Sequence, residues 1–236
     1  KTFGGAPTTR MQAAAKAIKS LVTDATLTSG VDFGFAYWSY STAGFSSWTG
    51  DHKTGTGSAT PCSNYNCLKV PIQKGGAAQI AKMINTVNPG GGTDAAAFMK
   101  IATQYYSHST YTPIDLKSDC QKSYIIVIGD GNWFNHSSAK TSAAQAYARI
   151  AQKSTGFKTY TVAFGTGINA SGLKNFNELA KSGGTQKAII ALTAETLKTE
   201  LSAIISNINA NKISFTAPAI TATIEAGGSM YQAQFD

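Results

Sequence analysis

The stretch SYIIVIGDG, Ser123 to Gly131, constrains the fold more than any other part of the chain. From Tyr124 to Ile128 it is apolar without interruption, and Gly-Asp-Gly ends it. Such a run, lacking polar alternation and bounded by turn residues, reads as a strand buried on both faces, which belongs in a parallel sheet covered by helices. Helix and strand patterns alternate around it. In TTRMQAAAKAIKSLVTDA, Met11, Ala14, Ala15, Ile18, Leu21 and Val22 fall at helical spacing, with Thr8 or Thr9 as N-cap. VDFGFAYWSYS alternates and is rich in aromatics, which predicts a strand from Val31 to about Ser41. GGAAQIAKMINTV predicts a short helix, Asp94 to about Ser107 a longer one, and SAAQAYARIAQKS and SGLKNFNELAKSG two more. FKTYTVAFGTG predicts a strand and TQKAIIAL a last buried one. TAETLKTELSAIISNINAN predicts a final helix capped through Thr193 and Thr196. The fold class implied is α/β, a doubly wound, mostly parallel sheet with helices on both faces. Ligands in such sheets sit at the carboxyl ends of the strands, which puts Asp130 and the glycines after Phe164 along one edge.

The pattern lapses from Thr42 to about Val70, a surface insertion rich in Gly, Ser and Thr. Cys62 and Cys67 lie there in PCSNYNC. A disulfide between them would tie down a segment with little core of its own; two free thiols or half a metal site is the other reading, and no second cysteine pair completes four soft ligands. The disulfide implies an oxidising compartment. Cys120 is either buried as a small hydrophobe or paired outside the chain. From Lys212 onwards KISFTAPAITATIEAGGSMYQAQFD turns to β-type alternation with Pro218. Residues 1–210 therefore read as one domain and 211–236 as an exit segment towards a following one. KTFGGAPTTR reads as the interior of a longer protein and not as a signal peptide. No apolar stretch approaches the roughly 18–20 residues of a membrane span. The formal net charge is +8, but the lysines are scattered and not interleaved with aromatics, so nucleic acid is not expected as a partner.

NPGGGTD, Asn88 to Asp94, gives the backbone a freedom that a plain connector does not require. A P-loop would need Lys and then Ser or Thr at the helix start; Asp94 follows instead, and its carboxylate would repel a phosphate. No G-x-G-x-x-G follows the first strand. Thr93 and Asp130 are hard oxygen donors suited to Mg²⁺, Ca²⁺ or Mn²⁺, with glycines beside both. GDG also suits a metal-dependent phosphatase, although Asn135 stands where a second acidic group is needed. His52, His108 and His136 are scattered, and no G-x-S-x-G elbow is present. Trp38, Tyr40, Phe45 and Trp48 cluster where the first strand enters the insertion, either as packing or as a contact surface.

The order of elements, with GGGTD opening one helix and IIVIGDGN closing one strand, resembles a von Willebrand factor A domain over roughly Thr8 to Asn209. That family builds a metal-ion-dependent adhesion site from an Asp-x-Ser-x-Ser loop, a Thr at a helix start and an Asp after a buried strand. Thr93 and Asp130 match the second and third. SDCQKSYIIVIGDGNW and NKISFTAPAITATIEAGGSMYQAQF resemble PilY-type proteins of type IV pilus tips. The resemblance implies a non-catalytic adhesion domain of a secreted bacterial surface protein, with a protein ligand and pilus components as partners. Gly91, Gly92 and Gly131 would shape the loops, while Asn132, Trp48 and the insertion would contact the ligand. A structural or mechanosensing pilus-tip module without metal, and a phosphatase, are the alternatives. The chain departs from the family in lacking the first central strand and its Asp-x-Ser-x-Ser loop. An upstream segment or a strand from the β-rich tail would have to fill that gap, and a divalent ion held only by Thr93 and Asp130 would be weakly bound.

Overall fold

The computed structural model describes residues 9–38, 43–46, 67–87, 93–118 and 120–210. Gly91, Gly92, Trp48, Cys62, His52 and the exit segment lie outside them. Helix α1, Arg10–Val22, opens with a reciprocal cap: Gln12 N–H donates to Thr9 Oγ1 at 3.2 Å, and Thr9 N–H donates to Gln12 Oε1 at 2.9 Å. After the short helix α2, Ala25–Thr28, come strands β1, Phe33–Ala36, and β2, Leu68–Gln73. Helix α3, Gly76–Met83, leads through a 3₁₀ turn to α4, Ala95–Tyr106. Strand β3, Tyr124–Gly129, helix α5, His136–Ala151, strand β4, Lys158–Phe164, and helix α6, Ala170–Ser182, follow. Strand β5, Ile189–Ala191, and helix α7, Ala194–Ala210, close the described chain.

The helices divide into two layers. Helices α1, α3 and α7 form one core with Val162 and Phe164, while α4, α5 and α6 form another with Val127 and Ala163. Alternation along β4 sends Val162 and Phe164 to the first face and Thr161 and Ala163 to the second, the expected period of two. Thr161 is buried, and its hydroxyl donates to Phe176 O at 3.0 Å. A third cluster packs Phe45, Cys67 and Leu68 on Ile101 and Tyr105 of α4.

The strands do not form one continuous sheet among the described residues. β1 and β2 make an antiparallel pair with two register shifts, and β3, β4 and β5 make a parallel sheet in that order. The first strand is shorter than expected: Val31, Asp32, Tyr37 and Trp38 are described and lie outside it. β2 was expected to be the end of the insertion; LKVPIQ hides a strand because Pro71 interrupts its pattern, a residue tolerated at sheet edges. β5, expected to be buried, is an edge strand among the described residues, with Ile190 52% exposed. β3 is only half-buried outside Val127, since its second edge faces a cavity and no other described strand.

Gly76 lets α3 close on β1: a Cβ there would lie 1.9 Å from Phe33 O. Cys67 is fully buried and disulfide-bonded, whereas its expected partner, Cys62, is not among the described residues. Cys120 is a free, exposed thiol, so its burial as a small hydrophobe does not hold. No helix among the described residues is long and apolar enough to cross a membrane.

Candidate functional site

The loop before α4 and the loop after β3 meet at the carboxyl edge of the parallel strands. Phe134 N–H donates to Thr93 O at 3.2 Å and Ala95 N–H donates to Phe134 O at 3.0 Å, forming an isolated parallel bridge between Asp94 and Phe134. Thr93 and the start of α4 are thereby fixed to the segment that follows Asp130. Asp94, 1% exposed, is wholly structural. Its Oδ1 accepts from Ala96 N–H at 2.9 Å as the N-cap, and its Oδ2 accepts from Asn135 Nδ2 at 2.9 Å. Asn135 takes up a left-handed conformation, φ 56°, to make that bond, a region Asn enters more readily than most residues. The sequence signal was present, since Asp before Ala-Ala-Ala is a strong N-cap.

Asp130 is exposed and engaged by Arg10. The guanidinium Nη1 donates to Asp130 Oδ2 at 3.2 Å and to Asp130 O at 3.0 Å. The same side chain packs over the loop after β4, where a Cβ on Gly167 would lie 2.7 Å from Arg10 Nη1. One arginine from the first turn of α1 therefore joins the loops after β3 and β4. The two side chains are 39% and 56% exposed, so the pair contributes at most about 1 kcal/mol, and its role is geometric. Arg10 carries no local sequence signal, because its partner is 120 positions away.

Asn132 is exposed on the same rim with its side chain against α6: a Cβ on Gly172 would lie 2.0 Å from Asn132 Oδ1. Phe134 is 50% exposed, whereas Trp133 turns inward onto Phe176, ring centroids 3.7 Å apart, and Phe98, 5.3 Å. Gly131 has open space where a Cβ would be and no left-handed φ, so its expected loop-shaping role has no steric basis. Away from the rim, Lys140 hydrogen-bonds Glu178 and holds its carboxyl below the usual range.

Mg²⁺ and Ca²⁺ take about six or more oxygens, several of them carboxylate or carbonyl. Among the described residues the rim offers one exposed carboxylate, already opposed by a fixed cation, and no group of three or more His, Cys, Asp or Glu side chains could hold a metal. Thr93 and Asp130 by themselves do not fit a divalent ion.

The overall architecture is similar to two crystal forms of proximal thread matrix protein 1 from the mussel byssus, whose fold is von Willebrand A-like. The TM-scores are 0.54 and 0.53, each at 16% identity over 83% of this chain. The chain spans 41% and 42% of the chains in those two structures. At this identity the likeness concerns fold alone. No protein-family model matches the chain, and no curated protein does.

Proposed function

We propose that the chain is a non-catalytic adhesion domain of a secreted, type IV pilus-associated protein, binding a protein ligand through the rim around Phe134. The observation that carries this reading is an exposed aromatic ring held on a fixed base. Phe134 is anchored on both backbone sides to Thr93 and Ala95, with Asp94 and Asn135 locked beneath it and Asn132 beside it. Aromatic side chains on ordered backbone make contact area at little entropic cost, and polar neighbours fix orientation.

The test is adhesion of beads coated with the full chain to host-cell and abiotic surfaces. Phe134→Ala is expected to reduce attachment at least about tenfold, the loss of one aromatic anchor, while circular dichroism stays unchanged. Attachment unaffected by both Phe134→Ala and Asn132→Ala would remove the rim from consideration.

The Arg10–Asp130 pair favours a second reading, a metal-independent structural or mechanosensing module at the pilus tip. The bead assay separates the two, since a structural module keeps its attachment unchanged in Phe134→Ala, and calorimetric titration of Mg²⁺, Ca²⁺ and Mn²⁺ tests whether an ion takes part in either. A metal-independent rim shows no saturable binding up to about 1 mM, the weak end of extracellular Ca²⁺ sites. Micromolar binding abolished by Asp130→Ala would instead show that further oxygen ligands reach the rim and that Arg10 yields Asp130 to the ion.

A further inference from the structure

Between the two half-sheets lies a cavity of about 1090 Å³. Its side walls are β1 and β3, each paired to another strand on its far edge and to no described strand on the edge facing the cavity. Its two faces are apolar: Ala14 and Ile205 from the first helix layer, Phe98 and Ala102 from the second. Backbone edges on two sides and apolar side chains on the other two suit an extended peptide, which would complete both ladders while filling both faces. A small apolar ligand would leave the ladder groups unmatched.

We propose that residues Ile213–Ala217 of this chain occupy the slot as a strand parallel to β3. The position where the described chain ends supports this. Ile208 of α7 lines the cavity, and Asn209 Nδ2 donates to Leu27 O at 3.3 Å, next to the segment that enters β1. The chain thus leaves α7 at the amino-terminal mouth of the slot, with residues 211–236 still to place. Asn211 and Lys212 suffice as a connection, within the roughly 2–6 residues usual for helix-to-strand loops.

Handedness agrees. The connections β3–α5–β4 and β4–α6–β5 advance one way across the sheet with their helices on the second face. A connection from β5 back past β4 and β3 through α7, on the first face, reverses both direction and face and so keeps the same, right hand.

The residues fit as well. Ile213, Phe215 and Ala217 alternate with Ser214 and Thr216, and this sheet already buries Thr159 and Thr161 fully in β4. Pro218 holds Ala217 extended and stops the ladder, since it brings no N–H. Beyond it the chain emerges at the rim beside Arg10 and Asp130.

Hydrogen exchange of the full chain tests the proposal. The amides of β1 and β3 that face the slot, and not those bonded to β2 or β4 such as Tyr37 N–H on Cys67 O, are expected to exchange at least about tenfold faster in Phe215→Pro than in the parent, because the proline removes a ladder donor in mid-strand. Ile224→Pro, beyond the strand, should leave them unchanged. A chain ending at Ala210 should behave as Phe215→Pro does, with protection restored by adding a peptide of residues 211–222. Three results would overturn the proposal: exchange unaffected by Phe215→Pro, exchange accelerated by Ile224→Pro alone, or protection that rises with protein concentration alongside a dimer in sedimentation, which would place a second copy's strand in the slot.

Discussion

The two edges of β3 are a controlled comparison within one strand. Towards β4 every residue from Tyr124 to Gly129 is in register with a partner, and the helices behind that pair bury Phe157 and Phe176 completely. Towards β1 the same residues face a cavity, and Phe35 across it is only half-buried. Side-chain chemistry is alike on both sides, so the difference lies in backbone pairing. Apolar composition brings a strand to the core; only a neighbour in register seals it there.

The largest expected effect contrasts the two sides directly. Phe157→Ala, in the sealed half, should cost about 3–5 kcal/mol in urea denaturation, the range for deleting a fully buried aromatic. Phe35→Ala should cost about 1 kcal/mol in the Phe215→Pro background, where the slot is open, and clearly more in the parent chain. Equal costs in both backgrounds would erase the distinction between a filled and an open slot.

Two glycines report the same contrast between the walls. Gly76→Ala forces a methyl into Phe33 O and should destabilise by about 1–3 kcal/mol, because α3 must back away from the slot wall. Gly131→Ala meets nothing within 4 Å and should fall within about 0.5 kcal/mol of the parent. A neutral Gly76→Ala would show that the β1 side tolerates displacement that the β4 side does not.

The smallest effect is read from phenols. Burial pushes Tyr105 up to about 12, partly offset by Ile72 N–H, which donates to its oxygen at 3.0 Å, and burial raises Tyr106 as well. The folded state then keeps protons that the unfolded chain releases near 10.0. Stability present below pH 10 should therefore decline as pH climbs towards about 12. Tyr105→Phe should cost about 1 kcal/mol at neutral pH and flatten the alkaline slope. Tyr37 and Tyr124 on the slot walls are also raised by burial, and spectrophotometric titration should find them lower in the open-slot variant than in the parent.

Periodicity made the β3–β4 pair and the helices other than the one-turn α2 legible, because their signal is local. Thr9 at the start of α1 and Asp94 before Ala95-Ala96-Ala97 are cap signals within four residues of what they bond. What escaped was non-local or disguised. Pro71 broke the pattern of β2, and the exposure of Ile190 in β5 depends on which strands stand beside it. The rim reads in the same way: Thr93 and Asp130 stood out by residue type, whereas Arg10 became visible only when folding brought it to Asp130. Gly91, Gly92, Trp48 and Cys62 fall outside the described residues.

The side-by-side packing of α1 and α7 has a kinetic consequence. β3, α5, β4, α6 and β5 are consecutive in the chain and contact one another, so this unit can assemble by closing short loops. Docking α7 on α1, sealed by Asn209 and Leu27, joins positions 182 apart and must pay a larger closure entropy before any contact rewards it. The transition state should therefore be structured around Val162 and Phe176 and unformed between Leu21 and Leu201. φ-values near zero at the latter pair and above about 0.5 at the former are the expected pattern. The reverse pattern would mean that the two helices meet first and that the sheet condenses between them.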